Sequence, residues 1–282
     1  MVDELDVGYR LEDGIHHKFP MYSLKKLYEG EDNDKIHAFQ EKADYVVTPK
    51  LDGSAISLVY IQGMLTCAIT RGDGKKGRNV TKHVRHLVPE VISSLSIVQI
   101  CGEIIAPSTI KNARNYASGA LNLIDSSEVK SRDLYFVAYS LEGTNYPTYV
   151  ESMNYLQMQG FKTVYHNDLS SFPQDGKVCR YNNYKYYYSL GHTSNHPRGA
   201  IAIKTRSDGV KTKLIDVIWQ TGKTGKVTPV AILEPVEIEG AIVQKATLNN
   251  PGFIEALGVE IGDYVMIERA GAIIPRIIKK AE

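Results

Sequence analysis

Cysteine is scarce in this sequence: three residues in 282, Cys67, Cys101 and Cys179. None stands in a C-x-x-C pair, which argues against a structural zinc module. Three scattered thiols fit a reducing setting better than a disulfide framework. Long apolar runs are also missing. No stretch approaches the roughly 20 residues that a spanning helix needs, and the N-terminus has no signal-peptide pattern. A soluble, cytoplasmic protein is the expectation. Charge of one sign is absent too: 33 Lys and Arg against 32 Asp and Glu leave a net charge of +1. Overall charge therefore points to no partner, and nucleic-acid binding would rest on local basic patches. Tryptophan occurs once, at Trp219, where packing is the expected role.

What is present is enough hydrophobic sequence, 43%, for one large core or two domains. Residues 1–44 are polar and mixed, with acidic clusters near Glu4 and Asp32. From Tyr45 the pattern becomes β-rich. Strands are predicted at Tyr45–Val47, Ser54–Tyr60 and Met64–Thr70, with Gln62-Gly63 as the turn, and at Ile97–Ile100 and Asp133–Leu141. Val80, Val84, Leu87 and Val88 repeat at helical spacing, and Ser152–Gln159 reads as a helix stopped by Gly160. Beyond Lys213 short β-rich segments follow one another: Val227–Ile232, Pro235–Ile238, Ala241–Ala246 and Tyr264–Arg269. Asn250-Pro251 opens a short helix among them that ends near Gly258. That texture predicts a compact barrel of the oligonucleotide-binding type, with a boundary between Lys204 and Asp216. The expected domains are residues 1–207 and 208–282.

One lysine stands out in YVVTPKLDGSAISLVY, residues 45–60. Lys50 sits between two β-rich runs and is followed by Leu51, Asp52 and Gly53. The plain reading is a surface hairpin. The sharper one is a nucleophile, held rigidly at a strand end and activated by burial or neighbouring charge. Gly53 would then let a ligand approach the backbone. Alone, K-x-D-G is weak. Its company is denser: Thr70-Arg71-Gly72-Asp73-Gly74 and Gly77-Arg78-Asn79-Val80-Thr81 alternate glycine with charge, as a loop facing an anion would, though polar hairpin tips share this composition. Glu103 follows an apolar strand and is placed to point into a cleft.

These blocks, in this order, resemble the NAD-dependent DNA ligases of bacteria and phages over about residues 17–280. KLDG at 50–53 resembles the adenylation motif. TRGDG at 70–74, CGEI at 101–104, NARNYASGAL at 112–121, DGKVCRYN at 175–182 and LGHTSNHPRGAIAIK at 190–204 resemble later blocks. PMYSL at 20–24 resembles the loop that holds the nucleotide, and TGKTGKVTPVAILEPV, ATLNN and IGDYVMIERAGAIIP resemble the barrel domain. The resemblance implies an α+β nucleotidyltransferase (ATP-grasp-like adenylation) domain followed by an all-β OB-fold barrel. It implies that Lys50 accepts AMP from NAD, that Asp52 assists as base or metal ligand, and that Lys204 contacts the AMP phosphate. Ser23, Leu24, Thr48, Arg71, Glu103, Arg114, Asp175 and Arg180 would surround the nucleotide, and Asp52, Glu103 and Asp175 would hold magnesium. Four positions depart from the family pattern: Thr48 where a glutamate usually reads the adenine amino group, Arg180 for lysine, and Asn79 and Ala272 for aspartates.

The implied reaction is phosphoryl transfer in three steps: lysyl-AMP from NAD, transfer of AMP to the 5′-phosphate of nicked double-stranded DNA, then sealing. Positioning and charge neutralisation dominate such chemistry, and Lys204, Arg71 and Arg114 would neutralise phosphate charge. Lys211, Lys213, Lys223 and Lys226 would track the DNA backbone, or simply solvate the barrel surface. The family's N-terminal domain for nicotinamide mononucleotide, its zinc module and its helix-hairpin-helix array have no counterpart here. Three explanations follow: one subunit of a split ligase whose partner chains supply those domains, as a compact viral genome would favour; a minimal enzyme; or a non-catalytic DNA-binding remnant. The expected location is bacterial or virus-infected host cytoplasm. An ATP- or GTP-using ligase or a capping-type nucleotidyltransferase shares K-x-D-G and the barrel and is the neighbouring alternative.

Other signals carry less. Gly222-Lys223-Thr224 resembles the end of a phosphate loop, but Val217 stands where its first glycine must be. His192 and His196 share helical spacing without a third ligand and read as surface histidines, as do His83 and His86. The run Tyr181–Tyr188 reads as helix packing rather than a base-stacking platform.

Overall fold

The computed structural model describes residues 14–94, 96–205, 209–221, 225, 227–238, 241–270 and 274–281, with only the backbone described at 269, 270 and 274. Glu4, Lys223, Thr224, Lys226 and Ala272 lie outside the described residues. The chain divides into two compact units, Met1–Thr205 and Arg206–Glu282.

The first unit runs β1 (Ile15–His16), β2 (Lys25–Tyr28), α1 (Asn33–Gln40), β3 (Tyr45–Leu51), β4 (Ser54–Ile61), β5 (Met64–Thr70), β6 (Lys76–Gly77), α2 (Thr81–Val84), β7 (Ile97–Ile105) and α3 (Ala113–Ala120). It continues with β8 (Tyr135–Glu142), α4 (Tyr149–Met158), β9 (Lys162–Thr163), β10 (Gln174–Tyr181), α5 (Tyr184–Ser189) and β11 (Ala200–Lys204). Two main sheets result, with strand orders β5-β4-β7-β8-β9 and β2-β11-β10-β3. The first packs the larger core: Ile56, Leu58, Tyr60, Ile100 and Ile104 meet Val84, Ala117, Met153 and Leu156 from the helices. The second sheet buries Leu27, Cys179, Ile201 and Ile203 against Ile36 and Phe39 of α1. Tyr181 stacks on Phe39 at 4.2 Å between centroids.

Local chemistry accounts for the departures from the sequence reading. The helix expected from Ser152 starts at Tyr149, because Thr148 and Glu151 form a reciprocal capping box. The strand expected at Ile97–Ile100 continues to Ile105, since its glycine and glutamate pair with β4 across their full length. His192 and His196 lie on no helix. His192 bonds Tyr22 at 3.0 Å and His196 bonds the Ser23 carbonyl at 3.1 Å, so both pin a loop.

The second unit is a closed barrel, with β12 (Val210–Thr221), β13 (Val227–Ile238), β14 (Ala241–Thr247), α6 (Pro251–Leu257), β15 (Tyr264–Ala270) and β16 (Ile274–Lys280). Asn250 caps α6 by accepting from the Phe253 N–H, and proline follows at the first helical position. The two segments expected at Val227–Ile232 and Pro235–Ile238 are one strand, bent by a register shift between Ile232 and Val236 where Pro235 cannot donate. Leu214, Ala231, Leu233, Val243, Val265, Ile267 and Ile277 fill the interior. Trp219 does not pack as expected: it is 54% exposed, on the barrel strand opposite Pro229.

Candidate active site

Strand periodicity builds one wall. On β3, Val46, Thr48 and Lys50 share a face, because side chains alternate along a strand. The register continues that face sideways: Thr48 opposes Val178 and Val46 opposes Arg180 on β10. Val178 in turn opposes Ala202, and Arg180 opposes Ala200, on β11. Lys204 follows Ala202 on the same face. The wall has two lysines at one end, small side chains in the middle and Arg180 at the other end. A cavity of about 450 Å³ lies behind this sheet, lined by Asn33, His37, Val47 and Lys177 among others, and contains none of the candidate residues.

A bulge gathers the lysines. Gln174 pairs with Leu51 and Lys177 with Pro49, so Asp175 and Gly176 together oppose Lys50. Gly176 has φ 140°, and a Cβ there would stand 2.3 Å from the Ile203 carbonyl oxygen, so only glycine fits this bulge. The result places Asp175 between the lysines. Its Oδ1 lies 2.7 Å from Lys50 Nζ and its Oδ2 accepts from Lys204 Nζ at 2.7 Å. All three side chains are about a quarter exposed or less. Burial works to raise the Asp175 pKa, but the hydrogen bonds from Lys204 and Lys50 outweigh it and hold the carboxylate below its usual range.

The opposing sheet contributes Glu103. On β7 it opposes Ala55 of β4 and Val137 of β8, and its carboxylate accepts from the Gly53 N–H. Burial pushes this acid up to about 8, against the pull of Lys50 and the Gly53 bond. Gly53 was expected to admit a ligand. Instead strand β7 occupies that space: a Cβ at 53 would lie 2.1 Å from the Ile104 carbonyl oxygen. Asp52, next to Lys50, pairs with Arg114 at the start of α3, Nη1 to Oδ1 at 3.0 Å. Burial raises the Asp52 pKa, Arg114 opposes the rise, and Asp175 adds to it.

The rim joins three sequence blocks. Arg71, just after β5, donates to Ser23 Oγ at 3.0 Å, and Met21 N–H donates to Gly74 carbonyl at 2.8 Å. Leu24 packs against the large core. His17 is buried beneath Arg71, bonded to Ser57 Oγ at 2.8 Å and to the Arg71 carbonyl at 3.1 Å. Sequence reasoning passed over His17 because its partners are 40 and 54 residues away. Asn79, a departure from the family pattern, accepts from Thr81 N–H at 2.9 Å and so starts α2.

Magnesium was expected on Asp52, Glu103 and Asp175. Among the described residues no three His, Cys, Asp or Glu side chains are arranged to hold a metal ion. Asp52 is engaged by Arg114, Asp175 by both lysines, and Glu103 has an acid strength that favours its protonated form near neutral pH. These residues do not make a three-carboxylate magnesium site as they stand, and the steps below rest on the chain's own groups.

A lysine at the end of a strand, a second lysine two strands away sharing its acid, and an OB-type barrel after them define a nucleotidyltransferase adenylation domain followed by an OB-fold domain. Residues 12–110 match the family profile described as the NAD-dependent DNA ligase adenylation domain, and residues 211–282 match the NAD-dependent DNA ligase OB-fold domain. The chain belongs to the NAD-dependent DNA ligases, of which it carries these two domains. It is 33% identical over 308 residues to a DNA ligase of Thermoanaerobacter sp. (strain X514), covering 93% of this chain and 46% of that one. Identity to the DNA ligase of Flavobacterium psychrophilum is 35% over 312 residues, covering 94% and 47%. For the DNA ligase of Aquifex aeolicus it is 31% over 322 residues, covering 94% and 44%. The chain thus spans about half the length of these curated relatives.

Proposed function

We propose that this chain forms a covalent lysyl-AMP from NAD and passes the AMP to the 5′-phosphate of nicked double-stranded DNA, as the catalytic part of a DNA ligase. The observation that supports it most is the Lys50–Asp175–Lys204 cluster on one face of the β3–β10–β11 wall. Lys50 Nζ attacks the α-phosphorus on the AMP side. A P–N bond forms, the P–O bond to nicotinamide mononucleotide breaks, and that group leaves with the electron pair. Asp175 Oδ1, 2.7 Å from the attacking nitrogen, is in position to take its proton. Lys204, Arg71 and Arg114 offset the charge that develops on the phosphate. Glu103, with a proton to give, suits the ribose hydroxyls. Ser23, Leu24, Thr48 and Arg180 frame the rest of the nucleotide.

Residues 1–207 would act as the nucleotidyltransferase domain and 208–282 as the OB fold that follows the DNA backbone. Lys211 and Lys213, both exposed on β12, suit that second role. The further half of the curated relatives is where the nicotinamide-mononucleotide-binding, zinc and helix-hairpin-helix functions would lie, and we place them for this chain on partner polypeptides. Intact mass spectrometry of the chain, stripped of bound AMP and incubated with magnesium and either NAD or ATP, tests the reading. The expected result is an adenylyl adduct from NAD, absent in Lys50→Ala. An adduct from ATP alone would move the protein to the ATP-using class.

A further inference from the structure

Residues 17–24 hold the loop that follows β5 at four points. Main chain supplies two: the His17 N–H donates to the Lys75 carbonyl at 2.9 Å, and the Met21 N–H to the Gly74 carbonyl at 2.8 Å. The other two both fall on Arg71. The buried His17 ring meets the Arg71 carbonyl at 3.1 Å, and the Arg71 guanidinium donates to Ser23 Oγ at 3.0 Å. Between them Gln99 of β7 clamps the segment, accepting from the Phe19 N–H at 2.9 Å and donating to the Phe19 carbonyl at 2.7 Å. Ser23 is fixed in turn by the loop before β11: its N–H donates to the Asn195 carbonyl at 3.0 Å, and His196 Nδ1 bonds its carbonyl at 3.1 Å.

These partners fix the tautomer of His17. A carbonyl oxygen only accepts, so Nε2 carries the proton given to Arg71, and Nδ1 accepts from the fully buried Ser57 hydroxyl at 2.8 Å. Burial holds the ring toward its neutral form, against the pull of the Arg71 carbonyl and Asp73. The ring thus ties the Arg71 peptide to β4, to which the Arg71 N–H also donates, at the Ala55 carbonyl, 3.0 Å away. Arg71 itself is exposed, and a long side chain there has many rotamers open to it. The direction its guanidinium takes depends on where its peptide is held. The Tyr139 hydroxyl interacts with the charges of both Glu103 and Arg71, so the guanidinium shares a neighbourhood with the buried acid of the site. An anchor for residues 17–24 alone would not need the imidazole bond, since the two main-chain contacts and Gln99 supply one.

We infer that His17 is a positioning residue: through the Arg71 carbonyl it aims the Arg71 guanidinium at the phosphate of the bound nucleotide, and Ser23 holds the far end of the same side chain. His17 touches neither substrate nor reacting atoms. This inference rests on the proposed nucleotidyl transfer, in which Arg71 offsets phosphate charge, and it alters no bond made or broken there.

Two substitutions divide the contacts of the ring. A glutamine amide reaches the Nε2 position and can donate to the Arg71 carbonyl. An asparagine amide reaches only the Nδ1 position and keeps the Ser57 contact alone. The experiment follows single-turnover formation of the lysyl adduct by the full chain with magnesium and saturating NAD. It compares the native chain, His17→Gln and His17→Asn, each with Arg71 present and with Arg71→Ala. The rate constant reports only the chains that react, so a misfolded fraction lowers the amplitude and not the rate. His17→Gln should stay within about three-fold of native, having lost one neutral hydrogen bond outside the site. His17→Asn should fall by roughly ten- to hundred-fold, the scale of a misplaced positioning group. With Arg71→Ala the gap between the two variants should shrink to under about three-fold, because residues that act through one another are not additive. Equal rates for the two His17 variants, or a gap that persists without the Arg71 side chain, would overturn the inference and leave the proposed function standing. A native chain that forms no adduct would overturn both.

Discussion

Asp175 holds the position on which the site turns. One carboxylate spans two lysines that come from strands on either side of it, at 2.7 Å each. Removing its charge leaves two partly buried cations facing each other, and breaking such a pair from one side is costly. Asp175→Asn should lower the rate of adenylation by roughly hundred- to ten-thousand-fold in single-turnover kinetics, the range of a positioned proton acceptor; an unchanged rate would remove Asp175 from proton transfer. Glu103 makes a second prediction through pH. Its folded pKa, about 8, lies above its ordinary value, so the folded state binds the extra proton between about pH 4.5 and 8. Its contribution is full below that window and is lost as pH rises through about 8. Glu103→Gln, which still accepts from Gly53, should therefore be more stable than the native chain in denaturant melts at pH 9, with the gap closing by pH 5. His17 runs the opposite way. Burial lowers its pKa, so the unfolded chain binds the proton more readily and stability is lost as pH falls below about 6.5.

At the scale of elements, two glycines set the site's shape. Gly176 allows the bulge that turns Asp175 toward the lysines, and Gly53 lets the β3–β4 corner lie against Ile104. Gly53→Ala must push that corner off strand β7, and we expect a loss of about 1–3 kcal/mol in chemical denaturation, the usual cost of overpacking. Much of this layer was legible in the sequence. β-rich apolar runs on either side of the Gln62-Gly63 turn located β4 and β5 closely, because the two strands pair locally as a hairpin. The Asn250 cap and the proline after it placed α6. What stayed hidden depends on pairing across distance. That Lys50 would meet Asp175 follows from the β3–β10 register and one extra residue in it, which no local pattern records. The joining of Val227–Ile238 into one strand, and the exposure of Trp219, likewise depend on barrel closure rather than on composition.

At the scale of the whole molecule, near-neutral charge leaves the proposed DNA binding to local features. Lys211 and Lys213 stand opposite Met266 and Tyr264, and Lys211 lies 5.1 Å over the Tyr264 ring centre. If these two carry phosphate contacts, replacing each by alanine should weaken binding to nicked duplex across sequences and reduce the salt slope by about one per lysine. An unchanged slope would assign them to ordinary surface. Lys50 remains the centre of the account, and the most direct test is to locate the adduct. The chain would be incubated with NAD and magnesium, digested, and the peptide containing residue 50 sequenced by tandem mass spectrometry. AMP on Lys50 is the predicted result. AMP on Lys204 or another side chain, with Lys50 unmodified, would contradict it.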